Sequence, residues 1–257
     1  MREEYGPYGP AREREFEVVF LVLAAVFIAS LVTCNLIVQK FFLWEPFGIE
    51  KWFYLSVGIL PYPLTFLVTD ILSEIYGKRR ANHVVMSGLA ASVFVVGVVL
   101  LAVRIPSIGS VDLETGAAID PETFDAMFRQ VFGTTGRAVA ASMAAYLTAQ
   151  LIDIRVFHFW RGLTRGRHLW LRNNASTVFS QLVDTTLVVT LLFWGTAKQS
   201  DIPQMILAGW SFKALVALAD TPLFYIAVRV FQRRYPKQVA AHDDLVEEGL
   251  VQTPESA

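Results

Sequence analysis

Four aspartates lie inside apolar stretches of this 257-residue chain, in surroundings that aspartate usually avoids. A charged aspartate at the centre of a bilayer costs roughly 2.5 to 3.5 kcal/mol on insertion scales. Each one therefore needs a counter-charge, a proton or a hydrated cavity. The sequence predicts an internal polar site that binds a small ligand or moves a proton, built around Asp70, Asp153, Asp184 and Asp220.

Amide side chains accompany two of these aspartates at the same spacing. Gln150 precedes Asp153 by three residues, and Gln181 precedes Asp184 by three. Because residues three and four apart share one face of a helix, two helices are predicted to present an amide and a carboxylate to a common interior. The two polar stripes consist of Ser142, Tyr146, Gln150 and Asp153, and of Thr177, Ser180, Gln181 and Asp184.

Three other stretches each carry two polar residues that share a face, namely Asn35 and Gln39, Asp70 and Glu74, and Lys213 and Asp220. Lys213 is the predicted counter-charge for one of the carboxylates. Polar residues in membranes also join helices to one another, each bond contributing on the order of 1 kcal/mol. A bundle that needed only cohesion could use small residues, Ser or Thr, which cost far less to transfer out of water. At least one carboxylate is therefore expected to meet a ligand or move a proton.

The residue types narrow the class of ligand. Carboxylates accept hydrogen bonds from N–H groups, whereas the amides of Gln and Asn both donate and accept. A planar heterocycle with adjacent N–H donors and a carbonyl, such as a guanine-like base, suits this combination, while a peptide, a sugar and a metal ion remain open. Rings available for stacking on such a base are Tyr62, Phe66, Tyr146 and Trp194.

Six apolar windows position these side chains, and each approaches or exceeds the roughly 20 residues that cross a bilayer core. A hydrophobic fraction of 54% and a mean hydropathy of +0.46 agree with a membrane protein. The sequence predicts an all-α fold with six transmembrane helices and no separate soluble domain. The windows are 16–38, 52–72, 84–103, 138–157, 175–194 and 203–228.

Basic residues predict the orientation and the domain limits. The two tails and the loops after the second and fourth windows hold fifteen Lys and Arg residues, whereas the other loops hold six. The positive-inside rule then places both termini in the cytoplasm. Residues 1–15 and 231–257 are predicted to be cytoplasmic tails around a membrane domain of residues 16–230. Polar, loosely ordered chain is expected over residues 1–15 and about 238–257.

Two local signals concern particular segments. Pro61 and Pro63 each remove a backbone donor, so the second transmembrane helix is predicted to be broken near its middle, as in many transporter sites. In the long loop 104–136, Asp120 is a predicted N-cap and Pro121 the first residue of a short amphipathic helix. That helix would be either a lid over an outer entrance or a surface helix that completes a long connection, with apolar residues Phe124, Met127, Phe128, Val131 and Phe132 on one face.

The sequence lacks the motifs of an enzyme, and no resident cofactor or metal is expected. Cys34, the only cysteine, excludes an intramolecular disulfide and is interpreted as a small apolar residue of the first helix. An intramembrane hydrolase could use paired aspartates as acid and base, but the sequence contains no Gly-x-Gly-Asp, His-Glu-x-x-His or Gly-x-Ser-x-Gly motif.

The polar motifs occur in an order that resembles the queuosine precursor transporter family, also called the vitamin uptake transporter-like family. The resemblance covers about residues 20–230. It rests on Tyr62-Pro63-Leu64-Thr65-Phe66, Thr69-Asp70-Ile71, Glu74-Ile75-Tyr76-Gly77, Arg137, Ala141-Ser142, Ala145-Tyr146, Gln150, Asp153, Ser180-Gln181, Asp184-Thr185 and Phe193-Trp194-Gly195.

The resemblance implies a six-helix bacterial inner-membrane protein that imports 7-cyano-7-deazaguanine, with its 7-aminomethyl relative as a second form, for the synthesis of queuosine in tRNA. It implies a fold similar to the substrate-binding subunits of energy-coupling-factor importers, and no partner ATPase. The residues carried over by motif are Asn35, Gln39, Asp70, Glu74, Arg137, Gln150, Asp153, Gln181 and Asp184, with Lys213 and Asp220 as further polar membrane residues.

A vitamin-binding subunit of an ATP-driven energy-coupling-factor importer is the alternative function. Ala25 and Ala29 give the first helix a small-residue surface on which a partner helix could dock, and such surfaces also allow a homodimer. The expected partners are a small-molecule base, the lipid bilayer and a second copy of the chain, without nucleic acid.

Overall fold

The computed structural model describes residues 10–45, 53–163, 169–196 and 198–236. These residues are largely helical, in agreement with the predicted class. They also contain two small antiparallel hairpins. The helices are α1 Pro10–Leu36, α2 Tyr62–Tyr76, α3 Lys78–Arg104, α4 Pro121–Phe132, α5 Thr135–Leu163, α6 Leu169–Phe193 and α7 Ile202–Arg234, and the strands are β1 Phe41–Trp44, β2 Phe53–Ser56, β3 Ser110–Val111 and β4 Ala118–Ile119.

Four segments of the described residues are helical, long and apolar enough to cross a membrane: Arg12–Leu36, Val57–Tyr76, Arg79–Arg104 and Gln199–Arg234. Helix α6 contributes a shorter apolar stretch, Val178–Phe193. These four spans confirm several crossings, while the count of six stays a prediction.

The chain divides into two compact units, and the first consists of residues 1–32, 61–91 and 217–257. One end of this unit is an aromatic cluster in which Phe16, Tyr76 and Tyr235 are buried. The Tyr76 hydroxyl donates to the Phe16 carbonyl oxygen at 2.8 Å, and the two rings stack with centroids 4.3 Å apart. These contacts join the beginning of α1 to the end of α2.

Two ion pairs lie at the same end of the first unit, where helices extend into the predicted tails. Arg80 pairs with Glu17 at 2.8 Å, and the Arg234 Nε donates to Glu15 at 3.0 Å. Helix α1 therefore begins at Pro10, inside the predicted tail 1–15, and α7 continues to Arg234, inside the predicted tail 231–257. The expected loose order is wrong for residues 10–15, which are helical and whose Glu15 pairs with Arg234, whereas residues 238–257 lie outside the described residues.

The second unit consists of residues 33–60 and 92–216, and it contains a hairpin that replaces part of a predicted helix. Strand β1 pairs with β2 so that Phe41 lies opposite Ser56 and Trp44 opposite Phe53. Helix was predicted from residue 52, which is wrong for residues 53–56. Aromatic residues suit a half-buried pleated surface, and the pairing stabilises strands that an apolar run alone does not distinguish from helix.

The two prolines begin a helix and do not interrupt one. Pro61 is the N-cap of α2 and Pro63 is its second residue, after a short 3₁₀ turn at Val57–Ile59. Proline suits the first turn of a helix because amide groups there have no partner within the helix. No regular helix runs through the proline pair, as predicted, but the break lies at the N-terminus of α2 and not in the middle of a helix.

The predicted amphipathic helix of the long loop is confirmed as α4. The Asp120 carboxylate accepts from the Thr123 backbone amide at 2.9 Å, and Pro121 is the first helical residue. The side chains of α4 are half-buried or exposed.

The core of the second unit joins the hairpin to the ends of three helices. Phe41 stacks on Tyr54 and meets the edge of Phe193, with ring centroids 5.1 and 5.4 Å apart. The hairpin is thus fixed to the helical core. The buried residues of this cluster are Ala138, Ala141, Leu192, Phe193, Ile202 and Met205.

Substitution of Gly88 tests how closely α1 and α3 approach each other. A Cβ atom at Gly88 would lie 3.0 Å from side-chain atoms of both Phe27 and Leu31, whereas a Cβ at Gly97 on the same helix would meet nothing within 4 Å. We expect Gly88→Val to destabilise the protein by about 1–3 kcal/mol through overpacking, and Gly97→Val to have little effect. Thermal unfolding in detergent measures both. Equal melting temperatures for the two variants would contradict the packing.

Asp120 tests the cap of α4. Bonds from the Thr123 hydroxyl and amide hold the pKa of Asp120 below its ordinary value. The cap is therefore complete above about pH 4 and is lost as the pH falls through the lowered pKa. We expect Asp120→Ala to speed amide hydrogen exchange in the first turn of α4 at neutral pH, and Asp120→Asn to preserve protection because Asn also caps helices well. Parental exchange in the Ala variant would refute the cap.

Candidate functional site

A buried ion pair lies at the centre of the candidate site. Lys213 Nζ on α7 lies 2.6 Å from Asp184 Oδ2 on α6, and the two side chains are only 9% and 15% exposed. Lys213 was predicted to neutralise one of the aspartates, and this contact confirms it. Removing one partner of a buried pair typically costs about 3–5 kcal/mol because the other charge is left uncompensated.

The seam between α6 and α7 fixes this pair in place. The Trp210 indole N–H donates to the Val178 carbonyl oxygen at 3.1 Å. A Cβ at Gly209 would lie 3.2 Å from the Thr185 methyl group, so the two helices approach closely beside the pair. Close backbone approach at small residues is a usual feature of helix packing in membranes. The position of Lys213 therefore depends on a rigid seam as well as on charge.

Three residues of the polar stripe predicted on α6 are described, while the side chain of Thr177 lies outside the described residues. That they face a common ligand stays a prediction. Ser180 is buried, and Gln181 and Asp184 are half-buried on the same helix. Gln181 also takes part in a further interaction. An amide and a paired carboxylate thus follow one another along a partly enclosed face.

The C-terminal end of α1 is bonded to α5. Asn35 is buried, and its side-chain oxygen accepts from the Ser142 hydroxyl at 2.8 Å. The neighbouring Cys34 is half-buried and lies within electrostatic range of Lys213. Asn35 therefore belongs to the same unit as the ion pair, and its amide oxygen already holds a protein hydroxyl.

Gln39 lies in the turn beyond α1 and not on the helix as predicted. Helix α1 ends at Leu36. The Gln39 amide donates to the Thr134 hydroxyl, in the turn before α5. This contact ties two connections together, which is a structural role.

Arg137 caps the C-terminus of α6. Its guanidinium donates to the carbonyl oxygen of Leu191 at 2.7 Å and also to that of Trp194. The last carbonyls of a helix have no partner within the helix and carry partial negative charge, so a cation stabilises them. Gly195 follows with a φ of +74°, which ends the helix. The Phe193-Trp194-Gly195 motif is therefore a helix terminus whose tryptophan ring is 62% exposed.

Five of the predicted site residues lie in the first unit. Tyr62 and Phe66 have ring centroids 4.4 Å apart. Asp70 and Glu74 are exposed on α2. One carboxylate oxygen of Asp220 on α7 is buried without a hydrogen-bond partner among the described residues. Among the three acids of this group, Asp220 is thus the one with a buried oxygen that lacks a hydrogen bond from the described residues.

The remaining predicted residues lie in the second unit. Within that unit, Asp184 and Lys213 contact each other directly, while Asn35, Gln39 and Arg137 bond to other protein groups. Tyr146 is half-buried on α5. The side chains of Gln150 and Asp153 lie outside the described residues. One pocket shared by all the predicted residues stays a prediction.

The sequence interpretation missed Lys198. Its ammonium lies 3.3 Å from the centre of the Phe41 ring and 5.9 Å from that of Tyr54. Burial lowers the pKa of Lys198. A lysine over aromatic rings is a stabilising arrangement that attaches the hairpin to the segment before α7. The aromatic residues at 41–44 were the available signal for a cation partner. Their contact with Lys198 could not be predicted without knowing that the hairpin forms.

Comparison with known proteins identifies related sequences. Residues 56–227 match the profile of the family described as "Putative vitamin uptake transporter". The "Probable queuosine precursor transporter" of Bacillus subtilis (strain 168) is 29% identical over 191 residues, covering 72% of this chain and 75% of the relative. The "Queuosine precursor transporter" of Escherichia coli (strain K12) is 23% identical over 186 residues, with 71% and 76% covered.

A third relative, the "Probable queuosine precursor transporter" of Haemophilus influenzae, is 26% identical over 145 residues, which cover 56% of this chain and 54% of the relative. No solved structure matches the chain.

The family match spans more than half of the chain, and it agrees with the resemblance that the motifs predicted. Its members are transporters, so the chain is a transporter and not an enzyme. Several helices long and apolar enough to cross a membrane make it a multi-pass membrane protein. The chain belongs to the vitamin uptake transporter family.

Proposed function

We propose that this protein imports a queuosine precursor, 7-cyano-7-deazaguanine, across the inner membrane of a bacterium, with its 7-aminomethyl relative as a second form. The proposal includes six crossings, both termini in the cytoplasm and a fold similar to the substrate-binding subunits of energy-coupling-factor importers. The observation that carries it is the similarity, over more than 70% of the chain, to two relatives named as queuosine precursor transporters.

The chemistry of the ion pair supports a guanine-like ligand. A deazaguanine edge presents N–H donors beside a carbonyl. Asp184 can accept from the donors, Lys213 can donate to the carbonyl, and the Gln181 amide can do either. Because all three groups are at least partly shielded from water, their bonds to a ligand would be stronger than in solution.

The other proposed binding residues fall into two roles. The rings that can stack on a flat base are Tyr146, Trp194, Tyr62 and Phe66. The acids and amides that can contact or neutralise it are Asp70, Glu74, Gln150, Asp153 and Asp220. Asn35, Gln39 and Arg137 bond to protein groups, so we assign them to holding the ends of α1 and α6 in place.

The alternative function, a vitamin-binding subunit of an ATP-driven importer, has no comparable support. None of the three relatives is named as a subunit of such a complex. Uptake that persists in cells without any coupling ATPase would separate the two functions.

Ligand class is tested by thermal stabilisation of the purified protein. We expect 7-cyano-7-deazaguanine to raise the melting temperature in a dose-dependent manner, because a ligand that binds only the folded state stabilises it. Guanine, adenine, riboflavin, thiamine and biotin serve as controls. A shift with a vitamin and none with any deazapurine would refute the proposal.

The site assignment is tested by two substitutions on α6. We expect Asp184→Asn to reduce uptake to background and Gln181→Ala to reduce it by about 10- to 100-fold, since each removes a shielded hydrogen-bond partner of the base. Uptake is measured in a strain that depends on external precursor, with membrane protein quantified in parallel.

Thr186→Val is the matched control on the same helix. The Thr186 hydroxyl donates to the Leu182 carbonyl oxygen of its own helix at 2.7 Å, so its loss should leave uptake near the parental rate. Parental uptake by both Asp184→Asn and Gln181→Ala would remove these residues from the site.

A further inference from the structure

The Asp184–Lys213 pair places one positive and one negative group side by side at the candidate site. The two groups are 2.6 Å apart and largely buried, so together they present one positive and one negative end with no net charge. Arg137 carries its charge elsewhere, at the exposed C-terminal end of α6, where its guanidinium donates to carbonyl oxygens.

This charge balance discriminates between the two forms of the base. They differ at one substituent, which is an uncharged nitrile in one and an alkylamine in the other. An alkylamine has a pKa of about 10, as in lysine, and is cationic at neutral pH. An uncharged base can bond to both ends of the pair. A cationic base meets a carboxylate that Lys213 already neutralises, and it also meets repulsion from the Lys213 ammonium.

We infer that Lys213 determines specificity, making the site select uncharged 7-deazaguanines over the cationic 7-aminomethyl form. The inference rests on the proposed function and on Asp184 as a contact of the base. A protein discriminates either by attracting one ligand or by opposing the other, and Lys213 acts in the second way. The Lys213 side chain is only 9% exposed and its ammonium lies 2.6 Å from Asp184, so the positive charge stands where a second cation would have to bind.

Three variants separate charge from shape. Lys213→Met leaves Asp184 unneutralised, Lys213→Arg keeps the positive charge, and the double variant Lys213→Met with Asp184→Asn removes both charges. The probes are 7-cyano-7-deazaguanine and 7-aminomethyl-7-deazaguanine at pH 7, and the readout is the ratio of their dissociation constants for the full-length protein in detergent.

We expect the parent and Lys213→Arg to favour the cyano form. In Lys213→Met the ratio should move toward the aminomethyl form by about tenfold or more, because like-charge repulsion is lost and the free carboxylate attracts the cation. The double variant should lose this gain. A Lys213→Met variant that binds and keeps the parental ratio would overturn the inference.

A ligand-side control avoids any dependence on the folding of the variants. 7-Hydroxymethyl-7-deazaguanine has nearly the shape of the aminomethyl form but no charge. We expect the parent to bind it more tightly than the aminomethyl form. Equal affinities would overturn the inference, because the charge of the substituent would then make no difference to binding. If the parent binds none of the three bases, the proposed function itself fails. Binding of the cyano form with the wrong variant pattern removes only the role of Lys213.

Discussion

A carboxylate within an apolar helix must be neutralised, and much of the second unit is organised around this requirement. Asp184 receives its counter-charge from another helix, so α6 and α7 have to meet at one height and remain there. The glycine at position 209 allows the approach and the indole of Trp210 fixes it. A pair held in this way is expensive to bury, which is a reason to connect it with function and not with stability alone.

Helix ends impose the second constraint. The end groups of a helix backbone have no partner within the helix, so each terminus is stabilised by a donor or acceptor from elsewhere. Arg137 supplies donors to the end of α6, and the Asp120 carboxylate supplies an acceptor to the start of α4. Residues that look like site candidates by charge alone can therefore have this second purpose, and Arg137 is the clearest instance.

The features that the sequence predicted correctly depend on near neighbours or on a strict electrostatic demand. Asp120 and Pro121 specify a helix start within four residues, and a buried aspartate requires a cation, of which Lys213 was the candidate in the last span. The hairpin was missed because the pairing of Phe41 with Ser56 joins residues that are distant along the chain. Its five aromatic residues also lie in short apolar runs that fit helix or strand equally well. Pro61 and Pro63 were recognised as incompatible with a helix interior, but locating the break required knowing where α2 begins.

The chain contains a single sulfur nucleophile, at Cys34, and its surroundings give that residue a practical value. The backbone at Cys34 packs closely on Gly58, because a Cβ added at Gly58 would lie 2.5 Å from the Cys34 carbonyl oxygen. This contact fixes the orientation of the turn of α1 that contains Cys34. Because burial slows the reaction of a thiol, Cys34, one residue from Asn35, should take up a thiol label only when this end of α1 opens. The native sequence can serve as its own single-site labelling background.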